Sequence, residues 1–367
     1  MDIREKIQLE AREAFLSAEQ GILQIAMRVG KTRVGWLILQ ELFQWGFGVP
    51  KILILYPDNR IRESWSDEQT KMGNVRFNAE ITYSNYDSIH KHISQPWDAV
   101  IFDEVHATSD RQKDYMKVLI DDNRYVLGLT GTLSNDSERE LTEMGLPVLM
   151  KYTIDDAVRD GIIAPYKIFV HMVELDNVVK EQNKKGKWLT EKQRYNNYTY
   201  VIEELKENGK DTMFLRLHRN RVLQNSIAKR KKTLKLIQQH EGERVMVFTG
   251  LKKISESLGI PYYHSTSKNQ ETFEQFKRGD INVMAVVNMA RLGVTFQGLD
   301  TLIINSFVGN EETVSQIIGR CLNKDLNNHA KVGHVHIICS TEVDEIKKLH
   351  TALADFDKEE IVWLNKN

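Results

Sequence analysis

Ile25-Ala26-Met27-Arg28-Val29-Gly30-Lys31-Thr32 is the stretch on which the reading of this chain turns. It closes an apolar, strand-like run, Ile22–Ala26, and opens a helical pattern, Thr32–Trp45, with Val34, Leu37, Ile38, Leu42 and Trp45 on one face. A strand that turns tightly into a helix aims several backbone N–H groups at one spot, where the helix dipole favours an anion. A lysine and a hydroxyl residue directly after the glycine complete the chemistry of a phosphate loop. Lys31 neutralises β and γ oxygens, and Thr32 ligates Mg²⁺. The match is imperfect, because the strict pattern has glycine where Ile25 stands. A strand-to-helix turn that merely reads Gly-Lys-Thr is the competing interpretation, so the loop needs partners elsewhere in the chain.

The flanking sequence has the right rhythm. Lys51–Tyr56, Ala99–Phe102 and Tyr125–Leu129 are short apolar runs separated by helical patterns, as in a parallel sheet with helices on both faces. The rhythm restarts at Arg244–Phe248, Val283–Val287, Thr301–Asn305 and His334–Cys339. Between the two series, about 177–240 is polar, basic and helical in pattern. Its expected apolar anchors are Trp188, Tyr195, Tyr198, Tyr200, Phe214 and Leu217. Gly161 and Pro165 punctuate the chain just after Arg159. Two α/β domains follow, residues 1–158 and 159–367, the second entered through the basic helical segment.

Composition narrows the class. A net charge of −1 over 367 residues gives no global basic field, so any nucleic-acid contact must be a local cleft or patch. Cys321 and Cys339 are the two cysteines, too few for a disulfide framework, and a reducing cytoplasm is the expected compartment. No histidine pair has H-x-x-x-H spacing and no C-x-x-C occurs, so no structural metal is expected. The charged N-terminus has no signal-peptide core, and no apolar run nears the ~18 residues of a membrane span.

Three further motifs give the loop its partners. Ala99-Val100-Ile101-Phe102-Asp103-Glu104-Val105-His106 ends a strand-like run in two adjacent carboxylates. Asp103 is placed to hold Mg²⁺ through water and Glu104 to polarise the attacking water. Gly128-Leu129-Thr130-Gly131-Thr132 puts small hydroxyl residues at the next strand exit. Ser315-Gln316-Ile317-Ile318-Gly319-Arg320 supplies an arginine able to stabilise charge on a γ-phosphate from the second domain. Each alone has a bland reading: a solvated acidic turn, a glycine-containing strand exit, a surface arginine.

In this order the set resembles the superfamily 2 DExH-box helicases and translocases, compact bacteriophage DNA helicases among them, over nearly the whole chain. The resemblance implies two tandem RecA-like domains with ATP in the cleft between them. Met27–Thr32 is similar to motif I, Leu55–Arg60 with Ser64-Trp65 to motif Ia, Asp103–His106 to motif II and Leu129–Thr132 to motif III. Ile81–Tyr86 resembles a further nucleic-acid motif. Val245–Gly250, Asn288–Phe296 and Gln316–Arg320 resemble motifs IV, V and VI. By that resemblance Lys31, Asp103, Glu104 and Arg320 are catalytic. Gln8, Arg28, Val29, Gly30, Lys31, Thr32, Gln316 and Arg320 bind ATP, and Thr32 and Asp103 hold Mg²⁺. Arg4 and Gln8 lie about where the family reads adenine, although Gln8 on an amphipathic helix also suits plain surface.

Three departures stand out. Arg28 fills a position often held by glycine, in reach of a phosphate or a neighbouring carboxylate. Asn323 stands where motif VI usually has a second arginine, with Lys324 one residue on. Arg291 stands where motif V is usually acidic. For the track, Arg216, Arg219, Arg221, Lys229, Arg230, Lys231, Lys232 and Lys235 form a stretch without acids, suited to phosphate contacts. Arg60, Thr82, Thr249 and Thr295 are the expected nucleic-acid contacts, with Trp65 and Tyr83 beside them. The favoured reading is an ATP-dependent DNA helicase or translocase, cytoplasmic (in the host if phage-encoded), with replication or recombination proteins as partners. A DExH RNA helicase and a catalytically weak nucleic-acid-binding subunit are the alternatives.

Overall fold

A computed structural model describes the chain except for residues 1, 45, 47, 59, 74–77, 183–185, 265–269, 288–297, 307–313, 315–316, 320–330, 355 and 365–367. Gln316, Arg320 and Thr295, the departures Arg291 and Asn323, Lys324, and the side chain of Arg60 therefore lie outside the described residues. The chain divides into two compact units between Ile163 and Ala164.

The first unit is built on six strands: β1 (Gln20–Ile25), β2 (Lys51–Tyr56), β3 (Glu80–Asn85), β4 (Ala99–Asp103), β5 (Tyr125–Thr130) and β6 (Val148–Tyr152). They lie in the order β3-β2-β4-β5-β1-β6, and every pair is parallel. The near-solid apolar strands β2, β4 and β5 lie in the middle because a parallel sheet buries both faces. The half-polar Glu80–Asn85 takes an edge. On one face Leu55, Phe102, Val126, Met116 and Leu119 form a single core, each worth about 1.5–3 kcal/mol by burial.

The helix after the phosphate loop runs Lys31–Phe43 and buries a wider surface than the expected stripe: Val34, Gly35, Trp36, Ile38 and Leu39. It is packed from two sides, by helix Ile3–Ala18 and helix Arg60–Met72. Gly35 permits the second contact. A Cβ there would lie 2.4 Å from the Trp65 ring. Gly35→Ala is expected to cost about 1–3 kcal/mol of stability, read as a lowered urea midpoint with an unchanged slope.

The second unit contains β7 (Tyr166–Val173), a two-residue ladder β8 (Glu181–Gln182) and β9 (Trp188–Leu189), then β10 (Val245–Thr249), β11 (Tyr262–Tyr263), β12 (Val283–Val287), β13 (Thr301–Ile304), β14 (Gly333–Ser340) and β15 (Ile361–Leu364). Its main sheet is again wholly parallel, β11-β12-β10-β13-β14-β7-β15. Both sheets match the expected α/β class.

The basic segment forms helices Glu191–Glu207, Met213–Gln224 and Ile227–Gln239, and here two expectations fail. Of its expected anchors, Trp188, Tyr200, Phe214 and Leu217 are exposed, Phe214 by 73%. Tyr195 is the anchor that enters a core, with Leu175 and Leu223. The basic stretch is also not uniformly solvated. Lys229 is fully buried against Glu345, and Arg219 pairs with Asp344 and lies over the Tyr195 ring. A buried ammonium needs its carboxylate to offset desolvation, so these two cations hold the fold together and are not available to a phosphate backbone.

Candidate active site

The site of the first unit gathers at the carboxyl ends of β1, β4 and β5, where parallel α/β sheets place ligands. Gly30 sits at φ 105° and caps the helix that Lys31 opens. A Cβ on Gly30 would meet the Gln8 amide nitrogen at 2.7 Å. Gln8 itself is buried and donates from Nε2 to the Val29 carbonyl at 2.6 Å. The plain-surface reading of Gln8 is thereby excluded. The side chain braces the phosphate loop from helix Ile3–Ala18.

Arg28 also has a left-handed backbone, φ 74°. Burial, and then the positive charge of Arg4, hold its pKa below the ordinary arginine value. Among the described residues it has no carboxylate partner.

β4 delivers Asp103, and the chain then turns through Glu104 at φ 51°, ψ 53°. Left-handed conformations are uncommon for side-chain-bearing residues and recur at functional turns. This turn lets the Glu104 N–H donate to Asp103 Oδ1 at 3.0 Å and sets Glu104 Oε1 2.9 Å from Lys31 Nζ. Asp103 Oδ2 accepts the Trp65 indole N–H at 2.7 Å, and its main-chain carbonyl accepts Tyr86 Oη–H at 2.9 Å. Burial and the neighbouring Glu104 push the Asp103 carboxyl up to about 6. Glu104 shifts the other way. Burial opposes its charge, but the Lys31 ammonium outweighs that and lowers its pKa.

His106 joins the two strand ends. The Thr130 hydroxyl spends its one hydrogen on the Thr132 carbonyl, 2.6 Å away, so it accepts from His106 Nδ1 at 2.8 Å. Burial first, then Lys31, lowers the His106 pKa against the pull of Glu104, leaving a neutral imidazole with its proton on Nδ1.

These residues fit a triphosphate and a divalent cation. Lys31 is held by the Glu104 carboxylate. Among the described residues, Glu104 Oε2 and Thr132 Oγ1 are buried without a hydrogen-bond partner. A Cβ on Gly131 would come within 3.1 Å of Lys31 Nζ, so the glycine keeps that space open. Both Asp103 oxygens already accept one N–H each, which suits them to a cation's water shell.

The expected nucleic-acid contacts fare unevenly. Thr82 is half-buried on the edge strand β3, and beside it the Arg62 guanidinium lies 5.6 Å from the Tyr83 ring. Thr249 is fully buried with its hydroxyl 2.6 Å from Ser255 Oγ, so it offers nothing to a track. Trp65 is fully buried on Asp103 and is likewise not a track contact. The Trp65–Asp103 bond has no sequence signal, since the partners are far apart and neither flank marks an indole donor.

Comparison with known proteins points the same way. The model of the helicase conserved C-terminal domain matches residues 228–324. The DNA 3'-5' translocase XPB2 of Sulfurisphaera tokodaii is 25% identical over 361 residues, covering 88% of this chain and 80% of that protein. The probable helicase D10 of Escherichia phage T5 is 25% identical, covering 79% of this chain and 63% of its own. In fold, the chain superimposes on the ATP-dependent Type ISP restriction-modification enzyme LlaBIII bound to DNA, with TM-score 0.61, 14% identity, all of this chain and 31% of that one. It also superimposes on S. cerevisiae Dbp5 bound to RNA and ADP BeF3, with TM-score 0.58, 12% identity, 98% of this chain and 89% of that one. Among the described residues no helix is long and apolar enough to cross a membrane.

Proposed function

We infer that this chain, a superfamily 2 helicase or translocase, hydrolyses ATP to move along or remodel DNA. The observation that carries the reading is the Lys31–Glu104 contact, 2.9 Å, inside a buried set made by the phosphate loop, β4 and β5. The contact sets a phosphate-binding ammonium beside the carboxylate that would activate water, within one buried set of residues. Lys31 serves the β and γ oxygens, and Glu104 orients the attacking water and takes its proton. Thr32 and Asp103 would hold Mg²⁺, Asp103 through water, and the cation supplies Lewis-acid polarisation when bound. Gln8 braces the loop near the base, and Arg28 adds a cation to the phosphates.

Gln316 and Arg320, outside the described residues, belong to the same ATP chemistry in this reading through their motif VI resemblance. Hydrolysis alternates the grip of each domain on the phosphate backbone, so that one cycle gives one step. The DNA assignment is supported by the printed names of the translocase and phage relatives. A cytoplasmic role beside replication or recombination proteins belongs to the same proposal.

Phosphate release should be measured alone and then with single-stranded, duplex and forked DNA and with RNA. Stimulation of about tenfold or more by a DNA form is expected, and Lys31→Ala should abolish turnover. Hydrolysis that survives Lys31→Ala refutes the motor, and stimulation by RNA alone refutes the DNA assignment.

A further inference from the structure

Trp65 sits on the helix that Arg60 opens, yet its indole reaches the other end of the chemistry. Buried indole N–H groups need an acceptor, and a main-chain carbonyl would serve. This one takes Asp103 Oδ2 instead, at 2.7 Å. The ring is clamped from the far side by the helix that begins with Lys31 and Thr32. Trp36 Nε1 donates to the Trp65 carbonyl at 3.0 Å, the two indoles meet edge to face at 5.7 Å, and Gly35 leaves the ring its space. Further along, Arg33 and Glu68 make a looser link at 3.6 Å.

Helix Arg60–Met72 is therefore bonded to the cation-facing carboxylate and packed on the phosphate-loop helix. Its first turn also carries Arg62 over Tyr83 of β3, the edge where the nucleic-acid motif lies. Trp65 is about 7.5 Å along the helix axis from Arg60, at 1.5 Å per residue. A helix transmits a displacement over so short a length nearly rigidly.

We propose that Trp65 is a positioning residue that couples the two ligand sites of the first unit. Its N–H fixes the Asp103 carboxylate for the divalent cation, and the same bond makes the placement of helix Arg60–Met72 depend on the bound nucleotide. Coupling of this kind is reciprocal, so whatever displaces the helix alters the carboxylate by an equal free energy. The second arm of the test below rests on the DNA reading; the first does not.

Trp65→Phe keeps an aromatic ring in the space and removes the N–H donor together with the five-membered half of the indole. In the first arm, without nucleic acid, Mg²⁺–ADP–beryllium fluoride should slow amide exchange in helix Arg60–Met72 of the unsubstituted protein about fivefold or more. The variant should show little slowing, and Mn²⁺ should bind its ADP complex about tenfold more weakly by electron paramagnetic resonance. In the second arm, the affinity for oligothymidylate is compared with and without that nucleotide. The ratio of the two should depart from one in the unsubstituted protein and return to within twofold of one in the variant. A packing role alone would lower the melting temperature and leave both comparisons unchanged.

Equal exchange responses in the two proteins, or none in the unsubstituted protein, overturn the proposal. Failure of oligothymidylate to bind with or without nucleotide counts against the DNA reading, whereas binding that the nucleotide leaves unchanged, with the first arm intact, overturns the coupling proposal. Should Trp65→Phe fail to fold, selective ¹⁵N-tryptophan labelling decides the matter. The Trp65 indole resonance must move on binding Mg²⁺–ADP–beryllium fluoride, and an unmoved resonance overturns the proposal.

Discussion

Glu104→Gln is expected to lower kcat for ATP hydrolysis about 10³-fold, within the 10²–10⁴ range typical of a lost general base, while nucleotide affinity stays level or tightens. The two halves of that expectation have one cause. Glu104 Oε1 lies 2.9 Å from Lys31 Nζ, in an ion pair whose members are 20% and 12% exposed, so the carboxylate competes with a triphosphate for the ammonium. The amide keeps the shape and an acceptor for backbone donors but removes the charge. Lys31 is then released in advance, and the phosphate gains a cation without the cost of separating it from a carboxylate. Turnover fails because a neutral amide neither polarises the water nor accepts its proton. A fluorescent ATP analogue gives the dissociation constant and phosphate release gives kcat. A kcat within tenfold of the unsubstituted enzyme, or an affinity lowered tenfold, would remove Glu104 from the role assigned to it.

That prediction uses residues legible in the sequence, and it is instructive which were and why. Lys31, Asp103 and Glu104 stand out because each ends or follows a solid apolar run, and strand ends of a parallel sheet share one edge. β2, β4, β5 and β12 were legible for the same reason: uninterrupted apolar residues have no other stable place. β7 was not. Tyr166–Val173 interrupts its apolar residues with Lys167 and His171, and the sequence reading assigns it to no strand. It becomes a strand only because β14 and β15 pair with it on either side. β3 and β15 are edge strands, whose half-polar or very short sequences carry little periodic signal.

Side-chain partners were the hardest to read. The motif Ia resemblance sets Trp65 beside the expected track residues, and nothing local reveals an aspartate across the sheet. Thr249 was misplaced by the same logic, since a hydroxyl at a strand end can face a ligand or, as here, a neighbouring serine. The basic helix misled through composition. Charge counts do not show that Lys229 has Glu345 waiting for it, over a hundred residues later.

β7 and β14 also carry the second large effect, a loss of stability in mild acid. His171 and His336 face each other across the two strands, Nε2 to Nδ1 at 2.9 Å, with one ring donating to the other. Phe169 stacks on His336 at 5.0 Å and His240 meets it edge-on at 4.7 Å. The charged and titratable groups around the pair are Lys232, His240 and His334, with Glu243 bonded to His240. Burial, then Lys232 and His240, pull His171 down to about 4. Burial, then His240, His171 and His334, pull His336 down to about 3. Both rings are therefore neutral in the native state at pH values where the unfolded chain, with histidines near 6.5, already binds protons.

The direction of the effect follows from that difference. The stability these rings contribute is complete above pH 6.5 and falls as the pH drops from 6.5 towards 4, because the unfolded state takes up the protons first. Each ring accounts for about 1.4 kcal/mol per pH unit in that window. Two rings over two units approach 5 kcal/mol, comparable to the whole stability of a modest domain. Carboxylates elsewhere titrate in the same range, Asp103 in the opposite sense, so the informative quantity is a difference between two proteins.

The double variant His171→Phe/His336→Phe preserves the stacked planar rings and removes both nitrogens of the shared bond together. Replacing both partners of a hydrogen bond by apolar groups costs little at neutral pH. Urea unfolding at pH 7 should therefore give similar midpoints for the two proteins, with exchange of the β14 amides as the probe of the second unit. At pH 5 the unsubstituted protein should have lost about 4 kcal/mol more than the variant, two rings at ~1.4 kcal/mol per unit over 1.5 units. Parallel pH dependences in the two proteins would mean that both rings are protonated in the native state as readily as in the unfolded chain. The buried pair between β7 and β14 would then not be the source of the acid sensitivity.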